Sequence, residues 1–156
     1  MNLKDLIDKY NKIINNLYIG NHESPSDKEF LKTNNIRLII NCTKNFKYNL
    51  DDSINMTRLN ITDFNSPENN IIIASQINDI LDIMNIYINS NEGVLVHCHM
   101  GQQRSAMVIA CYLMKYNKYT LKQAIKDIKS KRKFAFFPES TFIDFLKYYE
   151  FELNNL

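Results

Sequence analysis

The chain has 156 residues, of which 45% are hydrophobic and 23% are charged, and its formal net charge at pH 7 is +2. This length and composition fit a single domain, residues 1–156, that buries a proper hydrophobic core. The mild net charge gives no reason to expect nucleic-acid binding as the main activity. The apolar runs are too short to span a membrane, so we expect no membrane association.

The cysteines and the overall composition bear on the compartment. The three cysteines follow no pairing pattern, and no signal segment is recognisable. Both features predict a reducing, intracellular and cytoplasmic location. The chain is also rich in asparagine and isoleucine, a bias typical of AT-rich genomes such as those of protists and large viruses. For a viral protein the location would be the host cell or the virion.

The first ten residues predict a short amphipathic helix. Leu3, Leu6, Ile7 and Tyr10 fall on one face of such a helix. That face must be covered, either by the rest of the domain or by a second copy of the chain. The second arrangement predicts a homodimer formed through this helix.

Strands and helices alternate along the rest of the chain. Helix starts are marked by cap and turn residues, at Ser24-Pro25 for a helix to about Thr33, at Ser66-Pro67 for a long helix to about Asn89, at Thr120 for a capping box, and at Pro138 for the last helix. Strands are expected at 36–41, 55–60 and 93–96. This alternation predicts an α/β fold with a mixed, mainly parallel sheet of about four or five strands flanked by helices.

Residues 97–105 carry the chemistry and read His-Cys-His-Met-Gly-Gln-Gln-Arg-Ser. The preceding strand would deliver Cys98 to the carboxyl edge of the sheet, where ligands bind in α/β folds. The loop from His99 to Arg104 and the helix that follows would then turn backbone N–H groups toward an anion. Arg104 offers a planar fork matched to two phosphoryl oxygens, and Gly101 lets the loop turn with positive φ. These groups favour the nucleophilic thiolate of Cys98, which could attack a phosphate monoester.

The nonapeptide resembles the signature His-Cys-x-x-Gly-x-x-Arg-Ser/Thr of the dual-specificity subfamily of cysteine-based protein tyrosine phosphatases. The likeness extends over most of the chain. Residues 16–20 resemble the family's first strand, 35–41 its second core strand and 61–63 its general-acid loop. Residues 110–114 resemble the helix after the phosphate-binding loop, and 137–149 resemble the closing helix. The resemblance therefore implies this phosphatase fold.

The resemblance also implies roles for individual residues. Cys98 would be the nucleophile, Arg104 the phosphate-binding arginine, Asp63 the general acid, and Ser105 the hydroxyl that helps the thiolate leave. The phosphate would lie in the loop formed by His99, Met100, Gly101, Gln102, Gln103 and Arg104, and His97 would be a structural support for this loop. Two alternatives stay open, because Asp63 also fits a turn aspartate and Ser105 a simple polar residue in the first helical turn.

Two loop residues depart from the family's usual pattern. Gln103 stands where the family most often has serine, and Met100 where it often has alanine, which bears on loop rigidity and on substrate preference. Neighbouring residues on an extended segment point to opposite faces, so His97, Cys98 and His99 do not form a metal site, and we expect neither a metal nor another cofactor.

The other two cysteines, Cys42 and Cys111, are interpreted as small buried hydrophobes. A disulfide between Cys42 and Cys98 under oxidation remains an alternative.

Together these features predict a metal-independent phosphatase that acts through a phosphocysteine intermediate on phosphotyrosine and phosphoserine/threonine proteins. Within enzymes, the alternative substrate is the 5′ phosphate end of RNA, and phosphoinositides are a weaker option. The rival from another class is a catalytically inactive module that binds phosphoproteins, although the chain retains Cys98, Arg104 and a candidate acid.

Overall fold

The computed structural model describes residues 7–156, in which five strands form one sheet. The strands are β1 (Tyr10–Ile14), β2 (Leu17–Gly20), β3 (Ile36–Asn41), β4 (Asn55–Arg58) and β5 (Gly93–His97). Their order across the sheet is β1-β2-β5-β3-β4, and only the β1–β2 pair is antiparallel. The prediction of a mixed, mainly parallel sheet is confirmed.

Within residues 7–156, five α-helices cover the two faces of this sheet. They are α1 (Lys28–Thr33), α2 (Pro67–Asn89), α3 (Arg104–Tyr116), α4 (Leu121–Lys131) and α5 (Ile143–Asn154). Side chains alternate along β5, so that Val94 and Val96 pack into the core beneath α2–α5, whereas Leu95 packs on the face that contacts α1. Because β5 is central and buried on both faces, the residue that follows it is held at a fixed position.

The N-terminal helix prediction is wrong where it can be compared. Leu3 and Leu6 lie outside the described residues, residues 7–9 are not helical, and Tyr10 begins β1. The segment is extended because it pairs with β2 and because the Tyr10 ring stacks on Phe30, with centroids 3.7 Å apart. The homodimer inferred from the helix stays a prediction.

Two helix starts also differ from the sequence-based expectation. The segment from Ser24 is a short 3-10 turn (Ser24–Ser26), and α1 begins separately because the Asp27 side chain accepts a hydrogen bond from the Phe30 N–H at 3.1 Å. The last helix begins at Ile143 and not at Pro138. Backbone groups of residues 137–141 are instead bound by the side chain of Gln103, which keeps this segment out of the helix.

By length and composition alone, α2 could cross a membrane. Its buried stripe of Ile73, Ile77, Ile80, Leu81 and Met84 belongs to the core, so the apolar character of this helix has a role within the fold. The expectation of no membrane association stays a prediction.

Candidate active site

Cys98 lies directly after the central strand β5, and only 3% of its surface is exposed. Its Sγ accepts a hydrogen bond from the Gly101 N–H at 3.2 Å and lies 3.2 Å from the Ser105 Oγ. Gly101 has φ of +69°, and a Cβ at this position would lie 2.7 Å from both the Gly20 carbonyl oxygen and an Arg132 nitrogen. The loop can therefore curl around the sulfur only with glycine at position 101.

The carbonyls of the loop all point away from the sulfur. Each carbonyl from His99 to Gln103 accepts a hydrogen bond from outside the loop, from the His22 N–H, Arg132 Nη2, Arg132 Nε, the Phe136 N–H and the Met107 N–H, at 2.7–3.0 Å. A trans peptide unit directs its N–H opposite to its C=O. The N–H groups of residues 100–104 are therefore turned to the inner side of the loop, as an anion-binding nest requires.

Arg132 is a buried cation that binds the loop of residues 98–104, here called the phosphate loop, from outside. The residue is 2% exposed, and besides the two loop carbonyls its guanidinium donates from Nη1 to the Asp8 carbonyl and the Asn11 Oδ1. Burial lowers the pKa of Arg132 to about 10, so the side chain remains charged at neutral pH. Arg132 lies within a basic sequence run, but its contacts connect the phosphate loop to β1.

Gln103, which departs from the family's usual serine, secures the loop from the other side. Its Nε2 donates to the carbonyls of Phe137 and Glu139 at 3.1 and 2.8 Å, and its Oε1 accepts the Thr141 N–H at 2.9 Å. The side chain thus faces the segment before α5, and Gln103 can meet an anion only through the backbone. The three Gln103 side-chain hydrogen bonds therefore add to the support that Arg132 gives the loop.

Arg104 is the first residue of α3 and connects the phosphate loop to the loop that carries Asp63. Its Nη1 donates to the Ile61 carbonyl at 3.3 Å, and its buried Nε has no hydrogen-bond partner in the protein. A buried, unpartnered N–H on an arginine is costly unless an anion accepts from it. This donor therefore fits a phosphoryl group bound in the loop.

Asp63 lies on the loop between β4 and α2, and the residue as a whole is exposed. Its carboxyl is nevertheless partly desolvated, which raises the pKa of Asp63, while the positive charge of Arg104 lowers it. The net upward direction favours the protonated form, which a proton donor needs. The next two aspartates along the chain, Asp79 and Asp82, lie within α2, and Asp82 pairs with Lys115 at 2.8 Å.

His97 ends β5 and is fully buried. Its Nδ1 lies 3.4 Å from the Cys98 carbonyl oxygen, and the edge of its ring contacts Tyr48 with centroids 5.3 Å apart. Burial is the largest cause that lowers the pKa of His97, to about 4, so the ring is neutral at physiological pH. A neutral, buried imidazole agrees with a structural role.

A cluster of three rings beside the loop could not be foreseen from the sequence. His22, Phe46 and His99 are nearly parallel, with centroids 4.8–5.5 Å apart. Phe46 is held there because its carbonyl accepts hydrogen bonds from Arg58 and Asn41. The cluster forms an aromatic wall on one side of the phosphate loop.

The remaining cysteines are buried and free, and residues 7–156 contain no group of three or more His, Cys, Asp or Glu side chains able to hold a metal ion. Burial raises the pKa of Cys42 well above its usual value, and the nearby Cys98 raises it further. Burial likewise raises the pKa of Cys111. Both thiols are therefore neutral, and the disulfide between Cys42 and Cys98 stays a prediction.

Known proteins resemble this chain in fold or in sequence. Human DUSP28 has a crystal structure that matches with a TM-score of 0.85 over 94% of this chain and 96% of its own, at 21% identity. A protein of Invertebrate iridescent virus 6, 123R, whose name describes it as a tyrosine phosphatase, is 30% identical over 155 residues, covering 92% of this chain and 94% of that protein. Dual specificity protein phosphatase 1-A of Xenopus laevis is 29% identical over 116 residues, 74% of this chain but 30% of that protein.

The fold and the cysteine loop define the class as that of the cysteine-dependent phosphatases. The family model for the dual specificity phosphatase catalytic domain matches residues 17–152. The chain therefore belongs to the dual-specificity phosphatases of the cysteine-based protein tyrosine phosphatase superfamily.

Proposed function

We propose that this protein hydrolyses phosphate monoesters on phosphotyrosine and phosphoserine/threonine residues of proteins, with Cys98 as nucleophile. The observation that carries the proposal is the orientation of the phosphate loop, whose carbonyls from His99 to Gln103 are all bound from outside while the Gly101 N–H donates to the Cys98 Sγ. The names of the family and of the viral and Xenopus relatives support protein substrates.

In the first step, the phosphoryl oxygens accept hydrogen bonds from the loop N–H groups and from Arg104. The Cys98 thiolate attacks phosphorus, a P–S bond forms, and the bond from phosphorus to the substrate oxygen breaks. Asp63 gives its proton to that oxygen, so the product leaves as a neutral alcohol or phenol. The enzyme is then a phosphocysteine with Asp63 ionised.

In the second step, water attacks the phosphocysteine. Asp63 accepts a proton from this water, the P–S bond breaks, and inorganic phosphate is released with the Cys98 thiolate restored. Ser105 is suited to stabilise the leaving thiolate, because its Oγ lies 3.2 Å from the Cys98 Sγ. Each step uses the same charge-stabilising loop, which is the main source of catalysis in such sites.

The rival functions have less support. An inactive phosphoprotein-binding module has no need of a nucleophile, a proton donor and a thiolate-stabilising hydroxyl in one site. RNA 5′ ends and phosphoinositides would use the same loop, and the net charge of +2 gives no specific reason to prefer a polyanionic substrate.

Turnover of a generic aryl phosphate in the presence of a metal chelator tests the enzymatic proposal. We expect turnover in the wild type and none in Cys98→Ser, whereas Cys111→Ser, at another buried cysteine, should retain it. A series of phosphotyrosine peptides, phosphoserine peptides, 5′-phosphorylated RNA and phosphoinositides then tests the substrate class. A kcat/KM for RNA or lipid above that for every phosphopeptide would overturn the assignment to proteins.

A further inference from the structure

The loop that carries Asp63 is held by one buried side chain, that of Asn69. Asn69 lies in the first turn of α2, three residues after the N-cap Ser66, and is 3% exposed. Its Nδ2 donates to the Thr62 carbonyl at 3.0 Å, to the Thr62 Oγ1 at 2.8 Å and to the Phe64 carbonyl at 2.7 Å. Its Oδ1 accepts the Thr62 N–H at 3.2 Å. The carboxamide therefore fixes the residues on both sides of Asp63.

This use of the position differs from ordinary helix capping. The third helical residue often returns a side-chain hydrogen bond to the N-cap residue itself. Here the N-cap Ser66 Oγ accepts the Asn69 N–H at 3.2 Å, while the Asn69 side chain reaches back beyond Ser66 to the loop. The Ser66 side chain thus caps the helix, whereas the Asn69 side chain binds the loop.

Beyond Ile61, which is fully buried in the core two residues before Asp63, the loop has few other anchors. Asp63, Phe64 and Asn65 are all exposed, so no apolar side chain among them anchors the loop in the core. Three other side-chain hydrogen bonds reach it, from Arg104 to the Ile61 carbonyl at 3.3 Å, from Asn65 to Asp144 at 3.2 Å and from Asn70 to the Asn65 Oδ1 at 3.2 Å. The helix α2 is fixed on the core through Ile73 and Ile77. The Asn69 hydrogen bonds therefore attach the loop to a rigid element.

We propose that Asn69 is the positioning residue of the proton donor, which holds the Asp63 carboxyl beside the phosphate loop before substrate binds. The proposal rests on Asp63 as the general acid of the proposed function. Displacing a catalytic group by about 1 Å can cost on the order of 10²-fold in rate, and general acids contribute about 10²–10⁴-fold. Loss of the Asn69 contacts should therefore reduce proton donation and spare the phosphate loop.

Two variants separate this role from folding. Asn69→Leu removes all four contacts. Asn69→Asp keeps the size and the oxygen but cannot donate to the loop, and a carboxylate in the first turn of a helix is favoured by the helix dipole, so this variant should fold. Asn85→Leu is the matched control, because Asn85 lies on the same helix and accepts a hydrogen bond from Tyr112 at 2.9 Å, far from the loop.

The readout is the dependence of kcat/KM on the leaving group. For p-nitrophenyl phosphate, whose phenolate departs unaided, both Asn69 variants should stay within about threefold of wild type, whereas for phenyl phosphate they should lose about 10-fold or more. Asn85→Leu should leave the ratio of the two substrates unchanged. In an Asp63→Asn background, neither Asn69 substitution should change the ratio further, because the group it positions is gone.

The outcomes distinguish this inference from the proposed function. If Asp63→Asn alters the ratio and both Asn69 variants keep the wild-type ratio, the positioning role is overturned and the general acid stands. If Asp63→Asn itself leaves the ratio unchanged, Asp63 is not the acid and the inference falls with it. If the Asn69 variants lower both substrates equally in the Asp63→Asn background, Asn69 supports the structure of the site in general and does not act through Asp63.

Discussion

Because the His97 ring is buried, we expect the folded protein to lose stability in mild acid, and we expect protonation of His97 to be the main cause. Burial lowers the pKa of His97 from 6.5 to about 4 in the folded protein. Because the folded-state pKa lies below the unfolded value, the stability is fully present above pH 6.5 and is lost as the pH falls from 6.5 toward 4. The difference between these pKa values corresponds to at most about 3 kcal/mol, a large share of the about 5–15 kcal/mol typical of a domain.

The assay is urea unfolding at a series of pH values from 7.5 down to 4.5. We expect the free energy of unfolding of the wild type to fall steeply below pH 6.5. His97→Asn should be less stable at pH 7.5 but should show a shallower slope, since it has no imidazole to protonate. Asn85→Leu is the control, because Asn85 lies on α2 and carries no titratable group, so its replacement should leave the slope unchanged. Equal slopes in wild type and His97→Asn would refute the reasoning.

Four further predictions follow from single contacts. Gln103→Leu removes three hydrogen bonds and should cost about 3 kcal/mol, or about 6 to 12 °C in Tm, whereas Gln102→Leu removes one side-chain bond and should cost about 1 kcal/mol by the same melting measurement. Gly101→Ala should abolish protection of Cys98 against iodoacetate by phosphate, because the loop can no longer curl. Arg104→Lys should lower kcat/KM for aryl phosphates by several orders of magnitude, since the bidentate contact disappears. Asp63→Asn should flatten the limb of the pH–rate profile on which activity falls as the acid deprotonates.

The features that were predictable from the sequence are local in the chain. The phosphate loop lies in one continuous nonapeptide between an apolar strand and a helix, and its cysteine, glycine and arginine indicate phosphate chemistry without any knowledge of distant contacts. β5 is an apolar run that ends in His97, β3 is apolar except for Arg37 and its last residue Asn41, and α2 and α4 begin at recognisable caps, so these elements are predictable as well.

What was missed depends on contacts between distant segments. β1 has only Ile13 and Ile14 as strongly apolar residues and is extended because β2 pairs with it, so the sequence alone predicts a helix at its first residue. Gln103 stands out in the sequence only as a departure from the family's loop pattern, and Arg132 only as part of a basic run. Their bonds to the loop and its surroundings cross about 30 residues or more, which no local pattern reveals.

The most direct test of the central claim is mass spectrometry of protein quenched in acid during turnover of a phosphotyrosine peptide. The account predicts a phosphoryl group on the peptide that contains Cys98, with more of it at steady state in a variant with slowed hydrolysis, such as Ser105→Ala. In Cys98→Ser both turnover and labelling should be lost. Turnover without a phosphorylated Cys98, or sustained turnover in Cys98→Ser, would contradict the account.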